Sequence, residues 1–171
     1  MSERQPKETK NLTLYGEPPL VWSRARDALA GVGQDHRPFF LATVSAAGRP
    51  HLAGTGAIWD EGDIYIVSGP STKKSRHLAK NPHCSIAVAL KGIDITMEGK
   101  ATRVTDKATL ERIAAHYRSV GWPTTVEKDA LTAPYSAPSA GKPPYYLYRF
   151  VFDVVVAVAG AEPSGATRWR F

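Results

Sequence analysis

Residues 64–82 read IYIVSGPSTKKSRHLAKNP, and this stretch decides how the chain folds. An apolar, largely β-branched run ends in a Ser-Gly-Pro-Ser turn. The turn opens a short helix that Asn81-Pro82 terminates. That helix begins with Lys73 and Lys74. The positive end of a helix dipole favours acidic side chains, and an exposed cation there costs about 0.3–1 kcal/mol. Two lysines in this turn make sense where an anion sits among them. Backbone N–H groups at a helix start, beside hydroxyls and ammonium groups, form a phosphate cradle. On the residues alone, a solvated basic helix face competes on equal terms.

Outward from this unit the chain alternates strands and tight turns. Residues 38–45 (PFFLATVS) read as a strand, turned by Ala46-Ala47-Gly48, with residues 51–59 as its partner. Residues 60–63 supply the next turn into the strand at 64–68. Beyond the lysine-bearing helix, residues 84–90 resume as a strand, and Gly92 turns it into residues 93–104. There Ile93, Ile95 and Met97 alternate with Asp94, Thr96 and Glu98, the mark of a half-buried antiparallel strand. Residues 145–159 (YYLYRFVFDVVVAVA) form a long strand or a bent pair.

Two further helices are predicted. One covers residues 21–32, with Trp22, Ala25, Leu29 and Val32 on one face. The other starts at Thr105-Asp106, places Leu110, Ile113, Ala114 and Tyr117 at helical spacing, and stops at Gly121. Residues 122–144 contain five prolines and no sustained periodicity. A loop of that length in a compact domain is usually functional or mobile. Residues 1–19 read as a polar arm, ordered only if it docks on something. Residues 20–171 read as one domain. The pattern predicts a mainly-β (α+β) protein, an antiparallel barrel of about six strands with flanking helices, because closure removes exposed edges.

Composition bounds the function. The 171 residues are 43% hydrophobic and 22% charged, as in a soluble globular protein able to bury a core. With 22 Lys and Arg against 16 Asp and Glu, the net charge of +6 suits a phosphorylated or carboxylated partner. Nucleic-acid binding is disfavoured: the basic residues are dispersed, and no aromatic-interleaved stacking motif flanks the cluster. Cys84 is the single cysteine; its apolar run marks it as a small buried hydrophobe. The histidines are scattered, and neither His77 nor His83 has a cysteine or carboxylate at ligand spacing, so no metal site is expected. No Ser-His-Asp arrangement and no Walker phosphate loop is present. No run reaches membrane-span length, and the first residues lack a secretion signal, so a cytoplasmic protein without membrane contact is expected.

The residues and their order resemble the pyridoxamine 5'-phosphate oxidase-like superfamily, the split β-barrel flavin and deazaflavin oxidoreductases. The likeness is close from Arg37 to Asp106, through FLATVSAAGRPHLAGTGAIWDEGDIYIVSGPSTKKSRHLAKNP and GKATRVTD. It is looser elsewhere, where the ending GATRWRF is similar to actinobacterial members. The resemblance implies a homodimer with two cofactor sites at the subunit interface. The family's phosphate motif falls on Thr72, Lys73 and Lys74, its strand-end hydroxyl on Ser68, and its ring contacts near Thr55, Gly56 and Ala57. Ser71 and Arg76 belong to the same phosphate-holding turn and helix.

Where FMN-binding relatives tend to carry an arginine and a lysine, this chain has His51 and Ala57. Val67 replaces an aromatic, and Asp94 a glutamine. The oxidase's C-terminal substrate motif, an Arg-Leu-His-Asp-Arg run, is absent. The resemblance therefore implies the deazaflavin coenzyme F-420 ahead of FMN, with hydride transfer to or from a small unsaturated substrate. A non-catalytic protein holding flavin, F-420 or haem is the alternative. His51 is either a cofactor contact or a surface turn residue. Gly54, Thr55 and Gly56 mark either a tight barrel corner or the close approach of a ligand. Trp169 is expected to dock on the partner subunit near the cofactor, with packing in its own core as the alternative.

Overall fold

The computed structural model describes residues 4–31 and 39–171. Eleven strands and three helices follow in the order β1 (Glu8–Asn11), α1 (Trp22–Ala30), β2 (Phe39–Val44), β3 (Pro50–Thr55), β4 (Ala57–Asp60), β5 (Asp63–Ser68), α2 (Lys73–Leu78), β6 (His83–Leu90), β7 (Ile93–Val104), α3 (Lys107–Ser119), β8 (Thr125–Glu127), β9 (Ala130–Thr132), β10 (Tyr146–Ala159) and β11 (Gly165–Arg170). Val32 and Pro38, assigned by sequence to the first helix and first strand, lie outside the described residues.

Strand alternation builds the barrel. In β7, Ile93, Ile95 and Met97 are buried while Asp94, Thr96 and Glu98 are exposed, as the period-2 pattern requires. Antiparallel pairing runs β3-β2-β6-β7-β10-β5-β4. The first and last members of that path, β3 and β4, are joined by the single residue Gly56. The sheet therefore curls back on itself, closed at that seam by the chain and not by a ladder. Sequence reading took residues 51–59 as one strand. It is two: β3 pairs with β2, and β4 turns to pair with β5. The split barrel is thus observed: its six predicted segments are present, with residues 51–59 divided in two, and β1 and β11 bring the main sheet to nine strands among the described residues.

The additional strands come from the chain ends. The N-terminal arm does dock, on its own chain: β1 pairs with β11, which pairs with the second half of β10. Arg168 bonds Glu8 at 2.9 Å across that edge. β10 spans both regions because a bulge at Asp153 interrupts its register with β7 and bends it. The loop 122–144 also contains a feature the sequence pattern did not reveal, the two-stranded hairpin β8–β9.

Two apolar clusters fill the interior. The larger joins the barrel strands to Trp22, Ala25 and Leu29 of α1. The smaller sits between α3, the hairpin, β5 and β10, around Leu110, Ile113, Leu131 and Leu147. α3 starts where expected, with the Asp106 carboxylate accepting from the Thr109 N–H at 2.9 Å. Cys84 is buried, and burial pushes its thiol up to about 12, consistent with an inert core residue.

Candidate functional site

An apolar strand ending in Ser-Gly-Pro-Ser leaves the sheet at Ser68, and the turn must hand the chain to α2. Thr72 does this by capping: its hydroxyl accepts from the Ser75 N–H at 3.2 Å and donates to the Gly69 carbonyl at 2.9 Å. Ser68 and Thr72 share a hydrogen bond at 2.7 Å. With the Thr72 proton on the Gly69 carbonyl, Ser68 donates to Thr72, and the Ser68 oxygen keeps its lone pairs for an incoming donor. The N–H groups of Lys73 and Lys74 lie in the first helical turn, where the helix itself offers no acceptor.

These groups border a cavity of about 620 Å3, within the range of small-molecule sites. One wall is the barrel seam and its neighbours: Thr55, Gly56, Ala57, Ser68, Thr72 and Lys74 all line it. A Cβ added at Gly54 or Gly56 would meet nothing within 4 Å, so the backbone there faces open space that a flat ring can approach. The segment is a barrel corner, and it leaves room for the close approach of a ligand.

The lining is also aromatic. Tyr117, Trp122, Tyr135 and Tyr145 belong to it. α3 is fixed against the barrel by Arg112, which pairs with Asp60 and Glu61 of the β4–β5 turn and reaches the Tyr65 hydroxyl at 3.4 Å. That anchorage brings the end of α3 to the cavity. The following loop is clamped in two directions. Trp122 Nε1 donates to the Tyr135 carbonyl at 2.7 Å, and the Tyr135 hydroxyl donates to the Gly121 carbonyl at 3.0 Å. Gly69 permits the loop to close on the turn: a Cβ there would stand 2.8 Å from the Ala140 carbonyl oxygen.

Among the described residues that line the cavity there is one cation, Lys74, and no carboxylate. Burial pulls the Lys74 ammonium below its ordinary pKa, and among the described residues its hydrogen bond goes to the Gly54 carbonyl at 3.4 Å. A partly desolvated ammonium with no carboxylate among the described lining residues has the chemistry to take an anion. Hydroxyls, helix-start N–H groups and this ammonium fit a phosphate; an open backbone face in a cavity that aromatic rings also line fits a flat ring.

Not every residue named from sequence reaches the cavity. Lys73 and Ser71 are exposed beside it, and Arg76 is used to brace the turn, donating to the Ser71 carbonyl at 2.6 Å. His51 stands edge-on to His77 at 5.7 Å, and His77 Nδ1 lies 3.0 Å from the buried Thr43 hydroxyl. Trp169 corrects the expectation of docking on a partner. It is 1% exposed, packed edge-on against Trp22 in its own core, because β11 turns its side chain inward. Conversely, sequence reading assigned Tyr117 to the core face of α3, marked the 122–144 loop as functional or mobile without singling out Trp122 or Tyr135, and read Tyr145 as the start of a strand.

The pKa of His51 is lowered first by burial and then by Lys73, His77 and Lys74. Removing a cation reverses its share of that shift, so Lys73→Ala is expected to raise the His51 pKa in an NMR pH titration. An unchanged value would show that Lys73 does not face the ring.

Known proteins are consistent with this architecture. A family-wide sequence profile described as pyridoxamine 5'-phosphate oxidase matches residues 25–149. No curated protein sequence matches the chain. Among solved structures, a NimC/NimA family protein from Clostridium acetobutylicum is 18% identical with a TM-score of 0.55, over 85% of this chain and 91% of that one. A FAD-binding protein from Mesorhizobium loti is 17% identical with a TM-score of 0.56, over 89% and 96%. A haem-binding protein from Mycobacterium smegmatis is 16% identical with a TM-score of 0.58, over 86% of this chain and 58% of that one. At such identities the likeness is one of fold. The profile, by contrast, spans most of the sequence, and the chain belongs to the pyridoxamine 5'-phosphate oxidase family.

Proposed function

We propose that the chain is a homodimeric oxidoreductase that binds a flavin-type cofactor in this cavity, coenzyme F-420 ahead of FMN. It passes a hydride between the ring and a small unsaturated substrate. The observation that carries this reading is convergence. Six residues singled out from sequence as cofactor contacts, Thr55, Gly56, Ala57, Ser68, Thr72 and Lys74, meet on one wall of one cavity. Lys74, Ser68 and the first turn of α2 hold the phosphate. The β3–β4 seam supplies the surface on which the ring lies.

The preference for F-420 rests on the seam. Ala57 puts a methyl group, not a cation, beside the ring, and His51 lies outside the cavity wall. Hydride chemistry belongs to the bound ring. The protein's part is to fix one ring face against the seam, neutralise the phosphate and keep water out with the aromatic wall.

Dimerisation is supported by the outer face of β2–β3. Phe40 lies opposite Gly54 and Leu52 opposite Ala42, so both apolar side chains point the same way, with 43% and 64% of their surfaces exposed. Gly54 also lines the cavity, so a second copy seated on this face would extend its wall. In the haem form of the sequestering alternative, an iron ligand would have to come from a tyrosine, because no His, Cys or Met is among the described residues that line the cavity.

Titration of the purified protein with F-420, FMN and haem, followed by absorbance, tests the reading. Saturable binding of F-420, tighter than FMN, is the expected result. Failure of both to bind, or tight binding of haem alone, would overturn it.

A further inference from the structure

One segment covers the cavity while contributing little to either core. Between the buried Ala133 and Tyr145, residues 134–144 are exposed at every position but Ser136 and Ala140, which are half-buried. Five of these residues, Tyr135, Ser136, Ala137, Ser139 and Ala140, nonetheless line the cavity. The segment therefore has solvent on one side and the cavity on the other. Of its side chains, Ala140 packs against the second apolar cluster. A stretch with so little buried apolar surface has low local stability.

Its fastenings among the described residues are hydrogen bonds at its two ends. Near the start, Trp122 Nε1 donates to the Tyr135 carbonyl and the Tyr135 hydroxyl donates to the Gly121 carbonyl. Near the finish, the Tyr145 hydroxyl donates to the Gly141 carbonyl at 3.0 Å. Between them, the Ala140 N–H donates to the Ala137 carbonyl and holds a turn within the segment itself. That turn rests on Gly69, where an added Cβ would stand 2.8 Å from the Ala140 carbonyl oxygen. Gly69 does not have a left-handed φ, so an alanine would suit its backbone. What the glycine provides is room for the segment to come down.

We propose that residues 134–144 are a lid that opens to admit and release the cofactor and closes by seating Ala140 on Gly69, with Tyr145 as its latch. The inference rests on the reading in which a flavin-type ligand occupies the cavity. Gly69 lies between Ser68 and Thr72, so the seat adjoins the turn assigned to the phosphate. Gly141, next to the seat, has a φ of +77° and open space where a Cβ would be, and such a residue absorbs the backbone rotation of a hinge. Latch and seat are both made by the chain and not by the ligand. Weakening either one frees the lid in the empty and in the loaded protein alike, so entry and exit speed up together and affinity stays nearly constant. A fixed wall behaves differently: a lost wall contact speeds exit alone and weakens binding.

The test compares wild type with Tyr145→Phe and Gly69→Ala in two measurements. Stopped-flow flavin fluorescence gives the association and dissociation rate constants of FMN. Limited chymotrypsin cleavage after the exposed Tyr135 reads lid opening without any ligand. Loss of one hydrogen bond in Tyr145→Phe should raise both FMN rate constants and the cleavage rate about 2- to 10-fold, with Kd changed by less than about twofold. Gly69→Ala, which collides with a backbone oxygen of the closed lid, should do at least as much; if it fails to fold, Tyr145→Phe decides alone. Unchanged rates and cleavage in Tyr145→Phe, or faster exit with unchanged entry, would overturn the lid. Should wild type bind neither FMN nor F-420, the cofactor reading falls. Faster cleavage in the variants would then still support an opening lid, and unchanged cleavage would overturn it as well.

Discussion

Gly99→Ala is expected to leave the chain unable to fold stably. Gly99 sits in the middle of β7, opposite Phe152, where the bulge in β10 brings the two backbones together. A Cβ at this position would lie 2.2 Å from the Val151 carbonyl oxygen and 2.7 Å from Phe152 Cα. These are backbone atoms in a central ladder, so they cannot swing aside as a side-chain tip would. Relief requires moving β10, and β10 pairs with β5, β7 and β11 at once. Overpacking ordinarily costs about 1–3 kcal/mol, and a backbone collision belongs at or above the top of that range. Against a total stability of about 5–15 kcal/mol, the variant should be largely insoluble or unfold at much lower urea. Gly54→Ala is the control, since its Cβ meets nothing within 4 Å. Wild-type stability in Gly99→Ala would contradict the register drawn around the bulge.

That bulge also shows what could and could not be read from sequence. Alternation in β7 and the β-branched run of β10 are local signals, and both strands were legible. So were the helix starts at Thr72 and Asp106, where capping hydroxyl or carboxylate precedes the helix. Partnership was harder. Residues 51–59 look like one strand because nothing local says that Gly56 is a joint between two different partners. β1 and β11 escaped notice for a similar reason: a four-residue polar edge strand has no burial pattern, since all of Glu8–Asn11 is exposed.

The candidate site divides along the same line. The turn proposed to hold phosphate could be singled out because lysines at a helix start violate a local electrostatic preference. The aromatic side could not. Tyr117 shares the α3 face with Leu110, Ile113 and Ala114, and periodicity cannot separate a core residue from one bordering a cavity. Trp122 and Tyr135 lie in an aperiodic, proline-rich loop, where chain proximity is set by tertiary hydrogen bonds. Trp169 was misplaced because a terminal tryptophan flanked by arginines looks like a docking residue until β11 is known to be a strand.

The second large effect concerns Lys74. Lys73 and Lys74 are adjacent in sequence, and both were candidates for the anion. Lys74 lines the cavity, where burial holds its ammonium below its ordinary pKa, whereas Lys73 is exposed beside it. A charge-assisted hydrogen bond of this kind contributes about 1.5–3 kcal/mol, or about 10- to 100-fold in affinity. Lys74→Ala should therefore weaken phosphate-bearing cofactors by that factor. Lys73→Ala removes an exposed charge, and an exposed pair is worth about 1 kcal/mol or less, so its effect should stay within about fivefold. Equal losses in the two variants would favour the alternative of a diffuse basic helix face.

The most direct measurement of the central claim compares FMN with riboflavin, and F-420 with its phosphate-free deazaflavin core, on wild type and on Lys74→Ala. The account predicts that wild type binds each phosphorylated form at least tenfold more tightly than its phosphate-free partner. In Lys74→Ala that advantage should largely disappear, while affinity for the phosphate-free forms is unchanged. An equal affinity of wild type for the paired ligands, or an advantage that survives the loss of Lys74, would contradict it.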